Sequence, residues 1–134
     1  TLYGVAVGVS HEVLECAGGS YEGLHLAGHD RGGQLAYELA LETPYNWASL
    51  LGTPGLWATA HDGELLRLEH IPVMNAVGEL DDVYRQDVED THARLLDLGL
   101  DSSLRVLEGQ ERKPVPGWTG KEFQFDFWLG RPVD

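Results

Sequence analysis

Lysine, cysteine and long apolar runs are what this sequence has least of. Only two of its nine basic residues are lysine, against 22 acids, giving a formal net charge of −13. Phosphate contacts need clusters of Lys and Arg, and none is present, which argues against a nucleic-acid partner. The same charge argues against anionic membrane surfaces, and its plain effect is to keep the chain dispersed in water. The lone Cys16 excludes an internal disulfide and fits a reducing compartment. No apolar run approaches the roughly 20 residues of a membrane span. No basic segment followed by an apolar one opens the chain, so nothing marks export. The expectation is a cytoplasmic protein.

What is present reads as one domain, residues 1–134, with 43% hydrophobic residues and both strand-like and helix-like segments. Residues 2–9 alternate as a strand, with Tyr3, Val5, Val7 and Val9 on one face. Residues 10–17 fit a short helix or a continuing strand. Residues 21–27 alternate again, with Leu24 and Leu26 opposite Tyr21 and His25. A helix is expected from about Gly33 to Glu42, ended by Thr43-Pro44. Residues 56–71 look like a hairpin whose strands flank His61-Asp62-Gly63, because Asp-Gly suits a tight turn. Leu80, Tyr84, Val88, Leu95 and Leu98 recur at helical spacing. Asp81 and Asp82 sit at that helix's N-terminal end, Asp81–Arg85 and Asp90–Arg94 are i,i+4 pairs, and Gly99 can stop it. Residues 104–107 and 122–129 complete the set as strands.

This order suggests a repeat, 20–71 and 72–130, at an offset that places Gly28 on Gly78 and Leu24 on Met74. A βαββ unit cannot bury its sheet alone, and two of them together can. The fold class expected is therefore α+β: two βαββ units forming a mostly antiparallel sheet with helices on one face.

Residues 24–44, LHLAGHDRGGQLAYELALETP, resemble the nucleophile elbow of an α/β-hydrolase that uses aspartate. That resemblance implies Asp30 attacking carbon, in a dehalogenase or an epoxide hydrolase. Three features weigh against it. Only 27 residues precede Gly28, whereas several strands precede an elbow. The triad order is nucleophile, acid, then His on late loops. An Asp-Gly hairpin stands where parallel crossovers of a dozen or more residues should lie. The simpler expectation is that Asp30 caps a helix.

Six histidines raise the question of a metal. His25 and His29 on a strand lie roughly 13 Å apart, too far for one ion. His11-Glu12-Val13-Leu14-Glu15 has Glu where a zinc-protease motif needs its second His. No metal and no cofactor is assigned.

Strand alternation gives a candidate site. With aliphatic residues turned to the helices, the other sheet face collects Tyr21, His25, Trp57, Arg67, Glu69, Asp126 and Trp128. Large exposed aromatic patches mark binding sites or interfaces, and aromatic walls with convergent polar groups suit a small molecule. Acids beside Trp rings would suit an organic cation. The same aromatics could instead cover a homodimer interface or pack under the 108–121 loop.

GSYEGLHLAG, LWATAHDGELLRLEHIPV and EFQFDFWLGRPV, read as parts of paired βαββ units, resemble the gyrase-inhibitor-like effector-binding superfamily. That resemblance implies a central cleft for small, often cationic, hydrophobic molecules, and in some members hydrolase activity. DVEDTHARLLDLGL is similar to the helix of a vicinal-oxygen-chelate unit, and His25, Glu69 and Asp126 could imitate that superfamily's metal ligands. The function expected is small-molecule binding with hydrolysis left open, Glu69 or His25 serving as base. The alternatives are a metal-dependent enzyme of the chelate type and an inert interaction module.

Overall fold

The computed structural model describes residues 12–19, 23–55, 61–112 and 126–130. Four strands make one sheet: β1 (His25–Gly28), β2 (Ser49–Gly52), β3 (Val73–Gly78) and β4 (Ser102–Leu107), side by side in chain order. Every neighbouring pair is parallel, with registers such as Leu26↔Leu50, Leu50↔Val73 and Met74↔Ser103. The expected antiparallel α+β sheet of βαββ units is thus corrected to an α/β arrangement. Parallel neighbours require long crossovers. Residues 29–48, 53–72 and 79–101 supply them.

Residues 12–17 are helical (α1). The first crossover carries α2 (Arg31–Glu42), the second the short α3 (Asp62–Leu65) running into a 3-10 turn at Leu66–Leu68, and the third α4 (Arg85–Asp97). Thr43 closes α2 as expected, its N–H and its hydroxyl both donating to the Leu39 carbonyl. Gly99, at φ 75°, gives α4 its left-handed stop. Arg85 pairs with Glu89 at 2.9 Å, while the Asp81 carboxylate accepts backbone N–H groups in place of the expected i,i+4 partner.

The hairpin expected at 56–71 is the largest local correction; residues 56–60 lie outside the described part. From Asp62 onward the chain is helical. The His61 N–H donates to the Glu64 side chain at 3.1 Å, and Leu65 and Leu68 are buried three residues apart. That is helical spacing, whereas the alternation reading had paired Leu66 with Leu68. Arg94 of α4 holds Asp62 at 2.6 Å, which ties α3 down. Residues 126–128, expected as strand, are helical too.

β2 and β3 are buried along their whole length, as strands covered on both faces must be. On one face Leu50 and Val73 pack with Tyr37, Ala40, Leu65, Leu68 and Leu95. On the other, Leu51, Met74 and Ala76 meet Leu107, Phe127 and Trp128. Asn75 and Tyr37 are fully buried, and the Asn75 amide donates to the Tyr37 hydroxyl at 2.6 Å. Burial pushes the Tyr37 phenol far up, so it stays neutral. Tyr37→Phe would leave that amide unpaired in the core. The expected cost is about 1–3 kcal/mol, read as a lower urea midpoint at unchanged slope. An unchanged midpoint would mean that Asn75 finds another partner. Among the described residues no helix is long and apolar enough to cross a membrane.

Candidate active site at the carboxyl ends of the strands

In open parallel α/β sheets, ligands bind outside the carboxyl ends of the strands. Here those ends carry Gly28, Gly52, Gly78 and Leu107, and the chain's polar groups converge just beyond them. β1 ends at Gly28, and α2 begins three residues later. Between them Asp30 has φ 53° and ψ −118°, a region that costs a residue with a Cβ about 1–3 kcal/mol. The turn is tight because β1 and α2 nearly touch. A Cβ on Gly28 would stand 2.0 Å from the Gly32 carbonyl oxygen. Asp30 precedes the helix, but its side chain makes no capping bond, so the N-cap expectation is corrected. Its carboxylate points to other partners.

Those partners come from the far side of the sheet. The Tyr84 hydroxyl donates to Asp30 Oδ1 at 2.8 Å, and Arg112 Nη2 donates to Oδ2 at 2.9 Å. Arg112 also bonds the Tyr84 oxygen at 3.2 Å, and its guanidinium lies 4.8 Å from the Tyr84 ring centroid. The hydrogen bond from Tyr84, then that from Arg112, holds the Asp30 carboxyl below the usual carboxylate range. The Tyr84 phenol is pushed up by the same contact. Asp30 is therefore an ionised carboxylate at neutral pH, on a strained turn, with an acid and a cation against it.

The loops after β3 and β4 are knitted together beneath this cluster. Glu79 N–H donates to Leu107 O and Leu80 N–H to Gln110 O, each at 2.9 Å. The Glu79 carboxylate accepts Gly109 N–H at 2.9 Å. These bonds bring Asp81 and Gln110 to one small cavity of about 20 Å³, whose walls include His29, Thr53 and Arg112. The His29 Nδ1–H donates to the Thr53 carbonyl, which joins this turn to the end of β2.

The residues expected to form an aromatic and acidic cleft are dispersed among several elements. Tyr21 and Trp57 lie outside the described residues. His25 is on β1, bonded through Nδ1 to the Ser49 hydroxyl at 2.8 Å, and its ring centroid is 5.9 Å from that of Trp128. Asp126 and Trp128 belong to the helical turn at 126–128. Arg67 and Glu69 are exposed on and just after the 3-10 turn, where Glu69 pairs with His70 at 3.1 Å. Neither is on a strand, so the alternation that placed them on a common sheet face does not apply. Among the described residues no group of three or more His, Cys, Asp or Glu is placed to hold a metal ion.

Asp30 was visible in the sequence as the centre of Gly-His-Asp-Arg-Gly. By spacing alone Tyr84 reads as part of the apolar stripe of α4, and Asp81 as an acid favoured by the helix dipole. Gln110 and Arg112 carried no signal, because an irregular loop has no period to read.

A parallel sheet with a strained acidic turn between a strand and a helix defines an α/β protein with a candidate site at the carboxyl ends of its strands. No protein-family model and no curated protein matches the chain. Among solved structures it is similar to one from Thermoplasma acidophilum, described as a predicted CIB-like hydrolase, with a TM-score of 0.64 at 16% identity. The match covers 96% of this chain and 58% of that one, so this chain spans somewhat over half the length of its neighbour. The likeness is one of fold.

Proposed function

We propose that this chain carries a hydrolase site in which Asp30 is a carboxylate nucleophile toward an alkyl electrophile. The observation that carries the reading is the backbone of Asp30, φ 53° and ψ −118°, between a parallel strand and the helix that follows it. Strain of that kind persists where the surroundings enforce it, and a nucleophile elbow is such a place. The objection from an expected hairpin loses its footing in this structure. The crossovers are present, and residues 62–68 are helical.

The chemistry follows from the charges. One Asp30 oxygen attacks an sp³ carbon, and the leaving group departs with the bonding pair as a halide or an opened epoxide oxygen. The product is an alkyl ester of Asp30. Arg112 sits where a departing anion can be paired, and Tyr84 carries a proton that an alkoxide can take. Arg31, next in the chain, offers the backbone N–H that an elbow uses to stabilise oxyanions. Hydrolysis of the ester completes the cycle. The same activity class is named in the description of the structural neighbour.

A second reading is binding without turnover. It is favoured by the partners of the Asp30 carboxylate: among the described residues Tyr84 and Arg112 hold its two oxygens, and no histidine is bonded to them. Styrene oxide and 1-bromobutane distinguish the two when incubated with a Cys16→Ser chain, so that the exposed thiol does not react. Ester on Asp30 by intact mass and peptide mapping, or product that depends on Asp30, is the expected result. Ligand-induced stabilisation with neither ester nor product would establish the second reading instead.

A further inference from the structure

Two buried oxygen atoms beside this site have no hydrogen-bond partner among the described residues: Asp81 Oδ2 and Gln110 Oε1. Asp81 is only 1% exposed. Its Oδ1 accepts the backbone N–H groups of Val83 at 3.1 Å and Tyr84 at 2.9 Å, which fixes the carboxylate. Gln110 is fixed through its backbone, accepting from Leu80 at 2.9 Å and donating to Leu107 at 3.2 Å. Both residues line the cavity of about 20 Å³, together with His29 and Arg112. One of those is the chain neighbour of Asp30 and the other is its ionic partner.

A buried polar oxygen without a partner is costly, and a cavity needs about 10–15 Å³ to admit one water. Carboxylate and amide oxygens only accept, whereas a water has two protons to donate. One molecule in this cavity can therefore serve both oxygens. We propose that Asp81 and Gln110 hold the hydrolytic water of this site, and that Asp81 is the base that activates it with no histidine between them.

This step rests on the Asp30 reading and completes it. The water oxygen adds to Cγ of the Asp30 ester while one water proton passes to Asp81 Oδ2. The tetrahedral adduct then expels the alcohol oxygen, which takes that proton back from Asp81. The alcohol leaves with an original Asp30 oxygen, and Asp30 keeps the oxygen of the water. The whole reaction turns an alkyl halide and water into an alcohol, a halide ion and a proton.

The test has two arms. A crystal structure of the free protein at about 1.5 Å or better should show a water within hydrogen-bond distance of both oxygens. A dry cavity, or the Gln110 amide nitrogen donating straight to Asp81, overturns the proposal. In the second arm Asp81→Asn, in the Cys16→Ser background, is treated with styrene oxide; asparagine keeps an oxygen for the two backbone donors. Ester should accumulate in the variant and decay about 100-fold more slowly or worse than in the parent, the usual share of a general base. In heavy-oxygen water a single turnover of the parent should place the label on Asp30. Equal decay in the two proteins defeats the base role. Ester in neither defeats the Asp30 reading and the base role with it, and the crystal density then judges the water alone.

Discussion

Asp30→Gly is expected to unfold at a higher urea concentration than the parent protein and to form no ester at all. Glycine accepts the backbone angles of this turn without the penalty of a Cβ, which is about 1–3 kcal/mol. The variant also loses the contacts with Tyr84 and Arg112. Arg112 is 45% exposed, so its pair with Asp30 is well screened and contributes little. The net gain should be about 1 kcal/mol near neutral pH. Asp30→Ala separates the two effects, because it keeps the strain and loses the pair, and it should be less stable than the parent. Acid gives a further check. The carboxyl of Asp30 is lowered in the fold, so its contribution is present above the unfolded value near 3.8 and is lost as pH falls through the lower folded value. The advantage of Asp30→Gly should therefore widen as pH drops through that range. Loss of the nucleophile should reduce any Asp30-dependent turnover by about 10³-fold or more. Equal stability of the Gly and Ala variants would show that the turn stores no strain, and the functional argument would fall with it.

The second large effect is structural and lies two residues earlier. Gly28→Ala would put a methyl group 2.0 Å from the Gly32 carbonyl oxygen and 2.6 Å from the Gly33 nitrogen. Both are backbone atoms in the first turn of α2, so no side chain can swing aside. Relief requires α2 to lift from β1, against a core that includes Tyr37, Ala40 and Leu50. Overpacking costs about 1–3 kcal/mol where side chains can adapt, and a backbone collision should reach the top of that range or beyond. Gly63→Ala is the matched control, since nothing lies within 4 Å of its added carbon. In a helical turn it should be neutral or gain up to about 1 kcal/mol. Thermal or urea unfolding of the pair decides the matter. A Gly28→Ala protein as stable as the control would mean that strand and helix are not in contact at this turn.

The two long helices were legible from the chain alone. α2 and α4 were readable because their buried residues repeat at helical spacing over more than two turns, and because Thr43-Pro44 and Gly99 mark their ends locally. The segment GHDRGG was legible as a motif, since strand, tight turn and helix all fall within a few residues. What the chain could not display was the direction in which strands pair. Parallel and antiparallel strands use the same apolar residues, and β2 and β3 are too short and too evenly buried to alternate. Leu65, Leu66 and Leu68 satisfy a strand period and a helix period equally, and only the contact of Arg94 with Asp62 and the core around Leu95 selects the helix. The alternation that gathered Arg67 and Glu69 onto a sheet face does not apply to them for the same reason.

The site depended still more on tertiary structure. Asp30, Tyr84 and Arg112 are separated by 54 and 28 positions in the chain, and they meet because parallel strands send their following loops to one end of the sheet. Sequence by itself determined where the two long helices α2 and α4 form and where glycine is needed to stop one, because those properties belong to a few adjacent residues. The pairing of strands, the strain at Asp30 and the convergence of Asp81, Gln110 and Arg112 were decided by long-range packing, which no local pattern encodes.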